Sequence, residues 1–446
     1  MSKELIQTFR NAKGMAHPHA FIAVAEFTNW REEQMSWMKT VCIGSWSFVP
    51  KAVMKGPDAL ELLEKFSVNS LKKYDIGQAK HVINCNKDGK VITEGMVMRV
   101  GEEEFYLYST PAVWFEYQAS LAEYKDNVTV QMENQLDTSI YQVAGPNAIY
   151  LLEEVANESL RDIKFMRFRN IIINGRDVMA INGLTMAGET GFELQFPHTY
   201  HDDVYNTILE VGKKYGLREL GHKNHQINHL LACFPTVYYH YFPALFGDEE
   251  ADFMRYILSS PSAYLSKWKL RWKILGSFEG NDISDYYRSP VEMGWIKHIN
   301  FDHDFLGRKA LEAEVAHPKR KVVTLEFNSE DLVDIYASNF KQGEPREFMD
   351  IPQQYQFSTR VDAVSKDGKL IGVSTGPGYS YYFRKMLAIS YIDVNYTKPG
   401  TNVEVLWGSP GTRQKIIRAT VAPAPYKKDT RKIDLTTLPE KLVLNK

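Results

Sequence analysis

Apolar residues recur along this chain with two periods, and the two periods separate helices from strands. In Gly56-Pro57-Asp58-Ala59-Leu60-Glu61-Leu62-Leu63-Glu64-Lys65-Phe66, Leu60, Leu63 and Phe66 share one face at i, i+3 spacing, and Pro57 suits a first turn. This pattern predicts a helix. Next, His81–Cys85 and Lys90-Val91-Ile92 flank Asn86-Lys87-Asp88-Gly89, and Asp-Gly between apolar runs predicts a β-hairpin. Met96–Val100 and Glu104–Tyr108 read as two more strands. A second strand-turn-helix pattern runs through Ile140–Ala144, Gly145-Pro146 and Asn147–Ala156, echoing the Gly56-Pro57 segment as a weak internal repeat. Residues 171–196 are β-like, with turns at Asn174-Gly175 and Gly188–Gly191, and residues 200–215 predict a helix.

Periodicity is lost between residues 222 and 300 and returns as short β-runs over 320–425. These are Lys321–Phe327, Arg360–Ser365, Leu370–Ser374, Met386–Asp393 and Asn402–Trp407, with a hairpin signal at Asp367-Gly368. A small antiparallel barrel or sandwich fits this last third. The Lys-rich tail from Tyr426 is expected to fray.

At roughly 150 residues per unit, 446 residues predict about three structural units. Lys and Arg number 53 and Asp and Glu 55, a balance that argues against a nucleic-acid partner, which needs a basic surface. Cys42, Cys85 and Cys233 have no CxxC spacing and cannot all pair, so neither a disulfide framework nor a cysteine metal site is expected. The N-terminus lacks a signal-peptide pattern, and no window approaches the ~18 apolar residues of a membrane span, so a cytoplasmic protein without membrane contact is expected. No GxGxxG, GxxxxGK[ST], HExxH or GxSxG occurs, which lowers the case for dinucleotide, ATP or serine-hydrolase chemistry.

Aromatic content changes the picture more. Phe, Tyr and Trp number 23, 25 and 8, and sixteen of them fall between Phe234 and Phe301. Aromatics build cores, and they also build flat walls for flat ligands. In Phe234–Pro243, Tyr238, Tyr239, His240 and Tyr241 put four polar-tipped groups in consecutive positions. Packed core is one reading. A pocket is the other, because tyrosine and imidazole can bind a substrate oxygen or act as general acids. His222, His225, His229 and His240 cluster nearby, with His225 and His229 at i, i+4. No Cys, Asp or Glu lies in register with them, so hydrogen-bonded histidines are expected and no metal site is assigned. Met186–Leu194 sets two glycines around an acid, and Glu193 opens the following strand. This is either a plain turn with surface glutamates or a carboxylate placed to accept a pair of N–H donors, such as a pterin edge offers. Pro318–Lys321 and Tyr426–Lys428 read as solvated basic faces or as contacts for a polyanionic cofactor tail.

Several of these segments together resemble the folate-binding aminomethyltransferase family, whose parent is the glycine-cleavage T protein. They are Gly56–Ala59, Ser67-Val68-Asn69, Asn86–Gly89, Ala144–Ala148, Gly188–Glu193, Ser289–Trp295 and Asp302–Leu311. The run from Phe301 to Glu314, the segment 380–393, the Trp-Gly…Arg-Ala-Thr-Val-Ala ending and the aromatic insert at 222–288 look like one branch, the tetrahydrofolate-dependent aryl methyl ether demethylases of the vanillate and syringate type. The resemblance implies an α+β fold of three domains in a cloverleaf ring around the folate, with a C-terminal β-barrel. Domain 1 would be discontinuous, 1–50 plus 136–300. Domain 2 would span 51–135 as an α/β, ferredoxin-like half, and the barrel 301–446.

It also implies a methyltransferase of one-carbon metabolism that moves a methyl group from a methoxy-arene to tetrahydrofolate and releases a phenol. Tyr238 or Tyr239 is then the proton donor, with His240 orienting it. Glu193 is the candidate pterin anchor, and Trp46, Trp114 and Tyr241 are candidate walls for the donor. The parent keeps an Asp-Asp pair after the hairpin glycine where this chain has Thr93-Glu94, so Glu94 is at most a changed cofactor partner. The vanillate enzymes carry histidines at the place of Trp46-Ser47 and an arginine near Thr110, so a less charged methoxy-arene is implied. The competing readings are another methyl donor (an N-methyl amine, a sulfonium or a methyl halide) and a non-catalytic folate-binding protein.

Overall fold

A computed structural model of the protein describes residues 2–11, 24–134, 137–259, 272–354 and 358–442. Three β-sheets organise these residues, and each is built largely from one stretch of the chain.

The five-stranded sheet runs in the order Gln78–Cys85, Val91–Arg99, Glu104–Tyr108, Lys51–Lys55 and Thr129–Met132, and every neighbouring pair is antiparallel. The runs expected separately at Lys90–Ile92 and Met96–Val100 are one continuous strand, Val91–Arg99. Gly95 interrupts the side-chain pattern but not the backbone, and a Cβ there would sit 2.2 Å from the Tyr108 carbonyl oxygen. Helices Ala59–Phe66 and Thr110–Ser120 accompany this sheet.

The six-stranded sheet follows the order Leu217–Glu219, Val41–Ser45, Thr138–Ala144, Gly191–Pro197, Arg176–Asn182 and Phe168–Ile173. Only its first pair is parallel. Asn174 and Gly175, with φ of 49° and 72°, make the tight turn between the last two strands. Helices Ala148–Ala156 and His201–Gly212 bury their apolar faces in the same core. The two Gly-Pro segments play equivalent parts. Gly56 (φ 140°) and Gly145 (φ 131°) each precede a helix, and an added Cβ would meet Asn127 O at 1.9 Å or Thr40 O at 2.6 Å. Only glycine fits such a crossing.

The third sheet closes on itself. Ser358–Lys366, Lys369–Ser380, Lys385–Asp393, Arg320–Phe327, Lys415–Ala422 and Asn402–Trp407 pair in turn, and Asn402–Trp407 pairs back with Ser358–Lys366. The result is a six-stranded antiparallel barrel. Lys273–Leu275, inside the span expected for the first domain, instead pairs parallel with Ser358–Lys366 at the barrel's edge. Residues 426–442 of the tail do not fray as expected. Lys427 is buried against Glu189 (2.7 Å), Thr430 bonds both Glu189 and Thr190, Leu435 enters the second core, and Arg161 donates to the Leu438 carbonyl oxygen.

One buried carboxylate joins the sheets. Glu292, 2% exposed, receives Lys90 Nζ at 3.1 Å from the first hairpin and Arg320 Nε at 2.7 Å from the first barrel strand. The expected solvated basic face at 318–321 is therefore partly an ion-pair partner. Burial alone would raise the Glu292 carboxyl, but Lys90, Arg320 and Arg288 outweigh it and hold it at about 2. Removing the carboxylate leaves the buried Arg288 and the half-buried Lys90 and Arg320 uncompensated, so Glu292→Gln should lower the unfolding free energy by about 1–3 kcal/mol. The urea midpoint at pH 7 measures this, and an unchanged midpoint would refute it. Because the folded carboxyl lies below its unfolded value, this contribution is complete above about pH 5 and fades as pH falls toward 2.

Candidate active site

A cavity of about 750 Å³ lies between the five- and six-stranded sheets, covered by the aromatic insert and by tail residues including Arg431. Its size is that of a small-molecule site.

Glu193 forms one wall. Residues i and i+2 of a strand share a face, so Glu193 and Gln195 point the same way, and Gln142 lies directly opposite Glu193 on the neighbouring strand. Gln142 Nε2 donates to Glu193 Oε2 at 2.9 Å, and Gln195 Nε2 donates to Oε1 at 2.7 Å. Both amides are locked from behind. The Met186 N–H donates to Gln142 Oε1, and the Tyr108 hydroxyl donates to Gln195 Oε1. A carboxylate has about four lone-pair sites, so this one keeps room for two more donors. Burial pushes its carboxyl up to about 7 despite the two amide donors.

His81 and Glu94 form the facing polar group. Ile83 pairs with Glu94 and His81 with Met96, so His81 and Glu94 are diagonal neighbours on one face of the hairpin. His81 Nε2 meets Glu94 Oε2 at 2.8 Å, and both residues are buried and line the cavity.

The insert supplies the aromatic wall. Tyr238 and Tyr239 line the cavity, and Tyr238 stacks on Trp272 at 4.3 Å and 7°. Tyr238 has φ 65°, a conformation costly for a bulky residue, and its carbonyl accepts from Thr359 of the barrel. Burial raises both phenols far above their ordinary value, so both keep their protons at neutral pH. The Tyr238 hydroxyl is buried without a hydrogen-bond partner among the described residues. Trp46 also lines the cavity and stacks on His225 at 4.8 Å and 13°.

Three candidates lie outside the lining. His240 accepts from the Thr236 N–H through Nδ1, Tyr241 packs edge-on to Trp295, and Trp114 is wedged between Phe66 and Phe253. Four consecutive residues cannot all face one space, and the positive φ at Tyr238 breaks the alternation that would have set their directions. His225 and His229 do share a helix face toward the cavity. There His229 pairs with the Thr236 hydroxyl, and burial, then His240, pushes it down to about 3. Among the described residues, no group of three or more His, Cys, Asp or Glu is arranged to hold a metal. Residues beyond those expected also face the cavity: His81, Gln142, Tyr108, Asn69, Trp295 and His298. For His81 a signal existed, since counting out from the Asp88-Gly89 turn puts it diagonal to Glu94.

An α+β assembly of this kind defines a fold class. The crystal structure of the glycine cleavage system aminomethyltransferase T from Bartonella henselae superposes with a TM-score of 0.63 at 16% identity, covering 96% of this chain and 97% of that one. Residues 3–238 match the GCVT N-terminal domain, and the chain belongs to that family. It is 32% identical over 422 residues to a syringate O-demethylase of Sphingobium sp. (strain NBRC 103272 / SYK-6), covering 90% of this chain and 89% of that protein. It is 30% identical over 431 residues to a sesamin methylene transferase of Sinomonas sp. (strain No.22), covering 93% of each. An aminomethyltransferase of Oceanobacillus iheyensis is 26% identical over 387 residues, covering 85% of this chain and 84% of that protein.

The raised Glu193 carboxyl has a measurable consequence. The folded state holds this proton more tightly than the unfolded state, so stability is lost as pH rises from about 4.5 through 7. Glu193→Gln cannot ionise, so its stability relative to the parent should improve by about 2–3 kcal/mol between pH 5 and pH 8. Paired urea titrations at the two pH values check this, and a difference independent of pH would exclude the raised carboxyl.

Proposed function

We propose that the protein is a tetrahydrofolate-dependent O-demethylase that moves a methyl group from an aromatic methyl ether to tetrahydrofolate and releases a phenol. The observation that carries this reading is the pairing, across one cavity, of a buried carboxylate with spare acceptor sites and an aromatic wall holding an orphaned tyrosine hydroxyl. The syringate O-demethylase and the sesamin methylene transferase, each at least 30% identical along nearly the whole chain, support it.

The residues present fit the folate. Glu193, held by Gln142 and Gln195, offers its remaining lone pairs to the N–H pair of a pterin edge. Tetrahydrofolate would supply the nitrogen that accepts the methyl group. Trp46, Tyr238 and Trp272 offer flat surfaces to an arene. A phenoxide is a poor leaving group, and protonation as the C–O bond breaks makes it a better one. Tyr238 or Tyr239 delivers that proton. Tyr238 is favoured, because its buried hydroxyl lacks a partner, which costs about 1–3 kcal/mol, and a turn of the side chain toward the cavity would let a ligand oxygen pair with it. The burial of Glu193, Tyr238 and Tyr239 strengthens each of these contacts.

Incubation with tetrahydrofolate and a panel of methoxy-arenes, with and without carboxylates, should yield methyl-tetrahydrofolate and the matching phenol by mass spectrometry. A methylene donor would appear in the same assay as methylene-tetrahydrofolate. No product from any methoxy-arene would redirect the reading to an amine, sulfonium or halide donor. Tyr238→Phe or Tyr239→Phe should lower kcat by about 10²–10⁴-fold. Parental turnover in both variants would remove the tyrosines as acids.

A further inference from the structure

Moving a methyl group from an ether oxygen to a secondary amine nitrogen involves two proton events. The nitrogen lone pair forms the C–N bond, the C–O electron pair stays on oxygen, the oxygen gains a proton, and the nitrogen sheds one. A tyrosine donor accounts for the first event only. The shed proton needs a base, and one candidate is already assembled on the hairpin.

We propose that His81 is the base that receives the proton released at the accepting nitrogen, with Glu94 as its positioning residue. This assignment rests on the demethylase reading above. With Glu94 as the acceptor, the 2.8 Å contact puts the His81 proton on Nε2 and leaves Nδ1 with the basic lone pair. When Nδ1 takes the proton, the imidazolium lies against the Glu94 carboxylate and is stabilised there. The transferred proton can then return to the spent tyrosinate, so no oxidant, reductant or extra acid is needed.

The surroundings hold this pair in place. The Thr110 hydroxyl bridges the backbone N–H and C=O of Glu94, both at 3.1 Å. Asn69 donates to the His81 carbonyl oxygen at 2.8 Å and accepts from the Ile83 N–H at 3.1 Å. Phe234, Trp295 and His298 pack round the imidazole, with ring centroids at 5.2, 4.9 and 5.3 Å.

His298 and Tyr241 bear directly on the pair, and Lys432 and Arg431 act on His298. Burial, followed by repulsion from His81, Lys432 and Arg431, pushes His298 down to about 3. His229 stands equally low. Neither takes up a proton at neutral pH. Tyr241 is pushed far up by burial and then by Glu94, so it stays protonated.

Two variants and two kinds of readout test the assignment. In His81→Gln, kcat for methyl-tetrahydrofolate formation should fall by about 10²–10⁴-fold. Tetrahydrofolate affinity by calorimetry should stay within about threefold. In Glu94→Gln the imidazolium loses its counter-charge, so the His81 ring titration, followed by NMR on the ligand-free protein, should move down by about one pH unit or more. The acid limb of the kcat profile should move with it, and Glu94→Asp should restore part of both.

A His81→Gln enzyme with turnover within threefold of the parent would overturn the proposal. So would a His81 ring that titrates identically in the parent and in Glu94→Gln. If His81→Gln does not fold, the Glu94→Gln titration and profile decide. A parent enzyme inactive on every methoxy-arene would sink the substrate reading instead, and the ring titration, which needs no substrate, separates that failure from failure of the base.

Discussion

A carboxylate buried at Glu292 organises the molecule. An ionised carboxylate removed from water is tolerated only beside compensating charge and N–H donors. Glu292 obtains these from separate places: Lys90 on the first hairpin, Arg320 at the start of the barrel, and the Ser289 N–H of its own turn. The Val91 N–H donates to the Arg288 carbonyl oxygen in the same region, which fastens the second hairpin strand to the end of the insert. That strand also carries Glu94. The position of the His81–Glu94 pair relative to the aromatic wall thus depends on an ion cluster outside the cavity lining.

Desolvation sets the character of the cavity. The same burial raises the Glu193 carboxyl to about 7, drives His229 and His298 down to about 3, and keeps the tyrosines protonated. Each shift favours the neutral form. Neutral groups held in this way are suited to a transfer in which charge develops on an oxygen and a nitrogen and must be met by groups already in place. Glu292 is the contrast: equally buried, it stays ionised because cations surround it. Burial with partners yields structure here, and burial with spare valence yields a site.

Much of the fold can be read from turns. Asp88-Gly89, Asn174-Gly175 and Asp367-Gly368 each join the strand pair they predict, and counting outward reproduces most of the observed registers. The strand Lys415–Ala422 carries no such signal, because it pairs with Asn402–Trp407 across the longer loop 408–414 rather than a two-residue turn, and its other partner, Arg320–Phe327, is distant in sequence. The tail misleads for a related reason. Its lysines look solvated until the Gly188–Thr190 turn supplies Glu189 for Lys427. In the site, Glu193 is legible because a strand alternates its faces. The Tyr238–Tyr241 run is not, because one left-handed residue discards that alternation. Trp114 illustrates the ordinary fate of an aromatic residue, packed edge-on to Phe253 on the far side of the wall.

The polar and apolar halves of the cavity are built by different kinds of structure, and this division has a physical reason. Glu193, Gln142, Gln195, His81 and Glu94 all sit on paired strands, where ladder hydrogen bonds fix their positions closely enough for charge and proton chemistry. Tyr238, Tyr239 and Trp272 belong to the insert, whose direction is set by single contacts such as the Thr359 hydroxyl on the Tyr238 carbonyl. A loop wall can change shape through a few substitutions without moving the ladder beneath it. On the proposed reading, the choice of arene belongs to the insert, and the handling of the methyl group's new nitrogen partner belongs to the sheets. Two enzymes sharing these strands could differ completely in the donor they accept.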